Sequence, residues 1–231
     1  MRAPAWLVLI AVIAALCGCA TAGRDFPRPV AADLVLGETT RQALIARFGP
    51  PQEDRTQSTT LKPASFYGSG ASPESGLSTR LHYSFVNPMG EAADGISPQR
   101  AAYFFLWNDK LVGFEYMSSF GADSTDFPES GVTQIRKMRS TEHEVIDLLG
   151  PPSGRAIYPR TRYPEDHSFI YAYFEWNKSL RSSRMKRLRI DITPEGIVRD
   201  FSYDNNTKPL PPPPAAPAVV PVYIPSQTRK K

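Results

Sequence analysis

The feature that most constrains the fold of this chain is a short motif that occurs twice. Residues 39–51 read TTRQALIARFGPP, and residues 140–152 read STEHEVIDLLGPP. Both copies begin with hydroxyl side chains, which cap the free amide groups of a first helical turn. Both end in Gly-Pro-Pro, at Gly49 and Gly150, which stops a helix because proline cannot continue it. The sequence therefore predicts two copies of one short helix.

Two pairs of residues within these motifs have capping-box spacing, Thr39 with Gln42 and Thr141 with Glu144. Each helix would be only about nine residues long, which is marginal in isolation, so it must be held by packing against a sheet. The apolar residues at helical spacing are expected to face that sheet; they are Leu44, Phe48, Val145, Leu148 and Leu149.

Alternating apolar residues after each helix predict strands. The predicted strands are 79–86, 101–107 and 111–117 in the first copy, and 169–176, 188–193 and 197–203 in the second. The Asn108-Asp109 pair and the Pro-Glu-Gly segment at 194–196 are typical turns. The expected fold is therefore α+β. It would consist of two tandem repeats, each a short helical N-terminal part followed by a three-stranded antiparallel meander, and a disordered Pro-rich tail.

The amino terminus has the pattern of a secretory signal. Arg2 supplies a positive start, residues 5–16 are an unbroken apolar run, and small residues follow at the expected cleavage site. Residues 16–19, Leu-Cys-Gly-Cys, resemble the lipobox of bacterial lipoproteins. That resemblance implies cleavage before Cys19 and attachment of lipid to its thiol. The alternative is an uncleaved membrane helix, because the chain has no charge between Arg2 and Arg24 and about 20 apolar residues span a bilayer.

The lipobox resemblance also implies a location. Ala20, rather than Asp, follows the cysteine, which resembles the sorting pattern of Gram-negative lipoproteins destined for the outer membrane. The protein is then expected on the periplasmic face of the outer membrane, held there by its N-terminal lipid. In a different envelope it would be a plasma-membrane lipoprotein.

The sequence divides into five predicted segments. Those at the two ends are Pro-rich or lack apolar periodicity, which favours extended chain over a packed core. The final segment also closes with Arg229, Lys230 and Lys231. In order, the segments are a lipoprotein signal peptide (1–18), a tether (19–33), a first repeat (34–120), a second repeat (130–204) and a Pro-rich basic tail (205–231).

Composition narrows the chemistry. The net charge is +4 with both signs interspersed, so nucleic-acid binding is not indicated. Both cysteines, Cys17 and Cys19, lie in the signal region, which leaves the predicted repeats without a disulfide or a cysteine metal ligand. Residues 143–147 read HEVID, similar to the HExxH of zinc proteases, but Asp147 stands where the second imidazole is needed. We therefore predict no catalytic residue, no metal and no cofactor.

The short helix, its Leu-Gly-Pro-Pro stop and a meander behind a lipidated cysteine resemble the outer-membrane assembly lipoproteins of the BamE (SmpA/OmlA) type. The duplication resembles the β-lactamase inhibitor protein architecture. The resemblance covers residues 34–203 and implies a non-catalytic binding or scaffold protein with an envelope protein as partner, in outer-membrane assembly or integrity. The duplication, the 67–78 insertion and the tail depart from the family, so no partner-binding residue is carried over.

Two other function classes remain open. The first is a periplasmic inhibitor or ligand-binding module that uses the surface between the repeats. The second is an enzyme. The sequence does not indicate an oligomeric state.

Two groups of residues are candidates for a binding surface. Residues 102–107 and 169–174 are apolar on both faces of their strands, whereas a helix covers one face. Either the two repeats bury their second faces against each other, or these faces form a platform for a partner. The candidate aromatic residues are Tyr103, Phe105, Tyr171 and Tyr173.

The second candidate group is basic and comprises Arg184, Lys186, Arg187 and Arg189. Strand alternation is expected to point Leu188 and Ile190 inward and the neighbouring Arg187 and Arg189 outward. Such a strip would attract lipid phosphates or an acidic partner. The alternative is solvated charge on an edge strand, where Lys and Arg block aggregation.

Overall fold

The computed structural model describes residues 21–61 and 74–209. The signal segment, Cys19 and residues 210–231 lie outside the described residues, so lipid attachment at Cys19 and the state of most of the tail stay predictions. The first five residues of the predicted disordered tail, 205–209, are instead the end of the last strand, so the prediction is wrong for them. In the described ranges, no helix has the length and apolar character needed to cross a membrane.

Both predicted short helices are confirmed. They are α1 (Arg41–Phe48) and α3 (Glu142–Leu149), and a single-turn helix, α2 (Glu129–Val132), lies between them. The described ranges also contain 3₁₀ turns at Ala31–Asp33 and Gly121–Asp123. Thr141 makes the predicted capping box with Glu144, but the cap of α1 is Thr40 rather than Thr39. Thr40 Oγ1 accepts from the Ala43 amide at 3.2 Å.

The strands form one antiparallel sheet that contains every strand of the described ranges. Its order is β1-β3-β4-β5-β6-β7-β8-β9, and β2 also pairs with β3. The strands are β1 (Ala22–Gly23), β2 (Glu53–Leu61), β3 (Glu74–Val86), β4 (Gln99–Trp107), β5 (Lys110–Ser118), β6 (Gly154–Ile157), β7 (His167–Asn177), β8 (Ser182–Ile192) and β9 (Val198–Pro209).

The predicted α+β class, with two repeats of a helix and a three-stranded meander, is wrong. Strands account for 47% of the described residues and helices for 15%, so this part of the chain is mostly β. Each eight-residue helix is followed by four strands, and β3 alone has 13 residues. The six predicted strands are present, whereas three were missed: β1, which has only two residues, β2 and β6. β2 is a polar edge strand without apolar alternation, and β6 has four residues, too few for a periodic signal.

The sheet is continuous because β5 pairs directly with β6. Gly113 lies opposite Ala156 in this pairing, Phe114 opposite Arg155, and Glu115 opposite Gly154. A Cβ atom on Gly154 would stand 2.3 Å from the Phe114 carbonyl oxygen, so the close approach of the two strands requires glycine there. The two halves of the chain therefore lie side by side in one sheet. The interpretation that they bury their second faces against each other is wrong.

Two apolar cores lie on the same face of this sheet, one under each helix. The first includes Leu44 and Phe48 of α1 over β3, β4 and β5, and the second includes Val145 and Leu149 of α3 over β7, β8 and β9. The first core also contains Phe26, which is 3% exposed although it belongs to the predicted tether. That segment is therefore fixed to the sheet at Phe26.

Candidate binding face of the sheet

The face of the sheet opposite α1 and α3, here called the open face, is the candidate functional site. Directly paired residues of an antiparallel sheet point to the same side, so the register assigns each side chain to one face. Tyr103 pairs with His82 on β3 and with Glu115 on β5, and Glu115 pairs with Gly154 across the joint. One surface thus runs from the first half of the chain into the second.

The structure divides the eight predicted binding residues between the two faces. Tyr103, Phe105, Arg187 and Arg189 lie on the open face. Tyr171, Tyr173, Arg184 and Lys186 lie on the helix side, because they alternate with open-face residues along β7 and β8. The predicted cationic strip is therefore split, and half of its charge is on the side that packs against helices.

The helix-side residues have structural contacts. The Tyr171 hydroxyl donates to the Gly150 carbonyl at 2.9 Å, and the Tyr173 hydroxyl donates to Glu175 at 2.9 Å. Lys186 is 3% exposed and donates to the Phe127 carbonyl at 2.8 Å. Arg184 pairs with Glu129 of α2. These four residues are therefore not part of the open face.

The strand β8 that carries the basic residues pairs with both β7 and β9. It is an interior strand, so the interpretation of its charge as protection of a sheet edge is wrong. Arg189 is paired on the open face, donating to Asp191 at 3.0 Å and to the Ser168 hydroxyl at 2.9 Å.

Glu115 lies at the centre of the open face and is held by two arginines. Its side chain is 6% exposed, and its Oε1 accepts from Arg160 at 3.0 Å and from Arg187 at 2.6 Å. Asp204 lies opposite Arg187 on β9, but Arg187 makes its ion pair with Glu115. This Arg160–Glu115–Arg187 group, here called the central triad, has two positive charges and one negative charge.

A second group of the same kind lies on the outer strands. Glu53 accepts from Arg80 at 2.9 Å through both carboxylate oxygens and pairs with Arg55 at 3.3 Å. This Arg55–Glu53–Arg80 group, here called the edge triad, is more exposed than the central triad, with the Arg55 side chain at 67%. Phe105 and Arg160 line a cavity together with Arg55 and Arg80, which connects the two triads.

Stacked aromatic rings lie between the triads. The rings of His82 and Tyr103 stack with centroids 4.4 Å apart, and Tyr103 lies 6.5 Å from Phe105. The Arg160 guanidinium is 3.4 Å from the centroid of the Phe105 ring. Burial raises the pKa of Tyr103 and lowers that of His82. Burial, together with the nearby Arg189 and Arg187, lowers the pKa of Arg160 to about 10.

Two adjoining cavities open on this face. One, of about 370 Å³, is lined by Arg80, Phe105, Glu115, Arg160 and Arg187 together with Tyr103, Met117 and Met185. The other, of about 250 Å³, shares those last three residues and adds Val86, Ala101 and Phe174 among its lining. A cationic cavity and a largely apolar cavity thus share a wall.

Glu115, Arg160, Arg80 and Arg55 were not among the predicted site residues. Glu115 had a sequence signal, since it is a lone carboxylate within the apolar run 111–117, and a buried strand charge requires a partner. Arg160 had none, because it lies in the loop between β6 and β7 and its partners are distant in sequence.

Within the described ranges, no group of three or more His, Cys, Asp or Glu side chains is placed to hold a metal ion. In the zinc-protease-like segment, His143 and Asp147 are 85% and 64% exposed and lie 3.6 Å apart as neighbours on α3. The open face combines arginine side chains, aromatic rings and apolar cavities.

The fold and this surface define the class as a mostly-β protein with one continuous sheet, helices on one face and a cationic, aromatic surface on the other. Comparison with protein-family models, with curated proteins and with solved structures gives no match.

Proposed function

We propose that this protein is a non-catalytic, lipid-anchored envelope protein that binds another envelope protein through the open face. One observation carries the proposal. The sheet presents a continuous second face on which Tyr103, Phe105 and Phe174 are only partly buried and lie among arginines. Partly buried aromatic and arginine side chains dominate the energetics of protein interfaces.

Anchoring through Cys19 rests on the lipobox resemblance and adds a physical advantage. A protein held on a membrane meets partners on the same membrane at a raised effective concentration, so a modest interface suffices. The process that fits both features is outer-membrane assembly or integrity.

The ion pairs of the open face favour binding over acid–base chemistry. Glu53, Glu115 and Asp191 are each paired with arginine. Carboxylate oxygens that accept from guanidinium groups are already occupied and hold their neighbours in place, whereas a general acid or base needs an oxygen free to reach a substrate.

The adjoining cavities support a second candidate, a periplasmic inhibitor or ligand-binding module. They lie where the two halves meet, with Tyr103 and Met117 from the first half and Met185 from the second. If the protein is an inhibitor, a loop of its target enzyme would enter these cavities. Both candidates use the open face and differ in what the partner is.

Site-specific photo-crosslinking in cells tests the binding face. A photoreactive residue at Phe105 is expected to give a discrete adduct with a partner protein, whereas one at the exposed His143 on α3 is not. Equal adducts from both positions, or none from Phe105, would refute the open face as the binding surface. Identification of the adduct by mass separates an envelope scaffold from an enzyme inhibitor.

Intact mass of the protein extracted from membranes tests the anchor. The expected species begins at Cys19 and carries a diacylglycerol and an acyl chain, and the Cys19→Ala variant lacks both. A full-length unmodified chain would contradict the anchor without touching the binding face.

A further inference from the structure

The open face has a charge pattern that specifies the chemistry of its partner. We infer that it binds an acidic peptide segment whose carboxylates pair with the two arginine triads and whose adjacent apolar side chain enters the largely apolar cavity. This inference rests on the proposed function, because it assumes that a protein partner contacts this face.

The triads supply the first argument. In each triad, two guanidinium groups share one carboxylate, so one positive charge per triad is not neutralised within it. Arg160 and Arg187 each give only one terminal nitrogen, Nη2, to Glu115. An arriving carboxylate would meet forks that match its geometry.

Burial of Arg160 strengthens the preference of the central triad for an added carboxylate. The Arg160 side chain is 24% exposed and is stacked on Phe105. Its pKa is lowered to about 10, first by burial and then by Arg189 and Arg187, with Glu115 only partly compensating. A second carboxylate at the central triad would offset that repulsion in a partly desolvated cavity, where charge-assisted hydrogen bonds are strong.

The apolar cavity supplies the second argument. Met117, Phe174 and Met185 line it, and Met185 is 40% exposed. Methionine side chains adapt to the shape of an inserted group, so this cavity suits an aliphatic or aromatic side chain. Because it shares Tyr103 with the cationic cavity, a peptide that places an apolar residue next to a carboxylate fills both.

Charge separates this occupant from the alternatives. The chain's own tail, residues 210–231, contains no acidic residue and ends in Arg229, Lys230 and Lys231, so it would be repelled. Lipid phosphates lie in a plane, whereas Glu115 and Arg160 are 6% and 24% exposed on the floor of a cavity. A peptide can enter such a concavity, which favours it over a headgroup layer.

Fluorescence anisotropy on the full-length chain in detergent tests the inference. The probe is a short labelled peptide in which glutamate alternates with phenylalanine, and the control probe has lysine in place of glutamate. We expect saturable, salt-sensitive binding of the acidic probe only. Arg187→Met should weaken it about tenfold and Arg55→Met about threefold. Arg47→Met, an equally ion-paired arginine on the helix side, should leave it unchanged.

The outcomes separate this inference from the proposed function. Equal binding of both probes, or equal affinity of the Arg47 and Arg187 variants, overturns the acidic-peptide inference. Displacement of the acidic probe by glycerol phosphate at similar concentration also overturns it and points to lipid headgroups. A third outcome is that the acidic probe fails to bind the parent protein while the Phe105 crosslink persists unchanged in Arg187→Met. In that case the binding face stands, and only the chemistry assigned to the partner is wrong.

Discussion

The two halves of the sheet share one set of helix-side contacts and differ on the open face. An Asp-Phe-Pro segment occurs in each half, as Asp25-Phe26-Pro27 and as Asp126-Phe127-Pro128. These two segments are the same number of residues apart as the two helix caps and as the two glycines that end the helices. In each half a tyrosine hydroxyl donates to the last carbonyl of the helix motif at 2.9 Å, from Tyr83 to Gly49 and from Tyr171 to Gly150.

A basic side chain fixes the Asp-Phe-Pro segment in each half. Lys186 donates to the Phe127 carbonyl at 2.8 Å and pairs with Asp126. Arg100 donates to the Phe26 carbonyl at 3.2 Å and pairs with Asp25 at 3.5 Å. The backbone framework of the helix side is therefore the same, although its side chains are not.

The open face does not repeat in this way. Tyr83 pairs with Ala102, and Tyr171 pairs with Leu188, so the next positions on β4 and β8 correspond. Tyr103 in the first half thus matches Arg189 in the second. Helix-side contacts are dictated by packing, which both halves need, whereas the open face is free to differ. This difference supports a structural role for one face and a binding role for the other.

The largest expected difference between the halves concerns the residue at the end of each helix. Phe48, the last residue of α1, packs on Phe104 and Tyr83, with ring centroids 4.8 and 5.9 Å apart. The corresponding last residue of α3 is the smaller Leu149. Phe48→Ala should cost about 4 kcal/mol of unfolding free energy and Leu149→Ala about 3 kcal/mol. Denaturant unfolding measures both.

The control for this pair is Leu180→Ala, because Leu180 is 74% exposed and its truncation should change stability by less than about 0.5 kcal/mol. A larger loss from Leu149→Ala than from Phe48→Ala would contradict the ranking of the two cores.

The basic residues give a smaller difference. Lys186→Met should cost about 2 kcal/mol, because it leaves the Phe127 carbonyl without its donor in a buried site. Arg100→Met should cost about 1 kcal/mol, since its bond to the Phe26 carbonyl is longer and its side chain is 17% exposed. Thermal unfolding measures both, with Lys137→Met, 54% exposed, as the control. Equal losses in all three would show that burial does not set the cost.

The two tyrosines should behave alike. Removal of either hydroxyl, by Tyr83→Phe or Tyr171→Phe, should cost about 1 kcal/mol at neutral pH because a helix-end carbonyl loses its donor. Burial raises the pKa of Tyr83 to about 12 and also raises that of Tyr171. The folded state then holds a proton that the unfolded state releases near pH 10, so stability is complete below pH 10 and falls above it.

Unfolding free energy measured from neutral to alkaline pH tests this sign. Each phenylalanine variant should lose less stability than the parent protein as the pH rises through this alkaline range. An unchanged alkaline slope in both variants would show that other groups cause the loss.

Sequence reasoning succeeded where a local pattern determines structure and failed where distant strands meet. The capping box of α3, the glycine stops and six apolar strands have local signals, and so does the outward direction of Arg187. The predicted fold class was wrong because the two helices have clear sequence signals but contain only eight residues each. The β5–β6 pairing that makes one sheet depends on the close approach of Gly154 to Phe114, which no periodicity records. Arg160 reaches Glu115 from a loop without a local pattern, so the sequence does not predict the central triad.

The smallest expected difference lies at the helix caps. In α3, Thr141 Oγ1 accepts from the Glu144 amide, and the Glu144 carboxylate accepts from the Thr141 amide. In α1, Thr40 accepts from the Ala43 amide, and alanine cannot return a bond. Thr141→Ala should therefore cost about 1 kcal/mol and Thr40→Ala about 0.5 kcal/mol.

The exposed Ala43 permits the converse experiment. Ala43→Glu places a carboxylate at the position that Glu144 has in α3, where it can accept from the Thr40 amide and face the helix N-terminus. It should stabilise the protein by about 0.5 kcal/mol and raise the cost of Thr40→Ala to that of Thr141→Ala. Ala43→Gln, which keeps the acceptor without the charge, separates the hydrogen bond from the helix dipole. A neutral result for both variants would mean that the halves differ in packing alone.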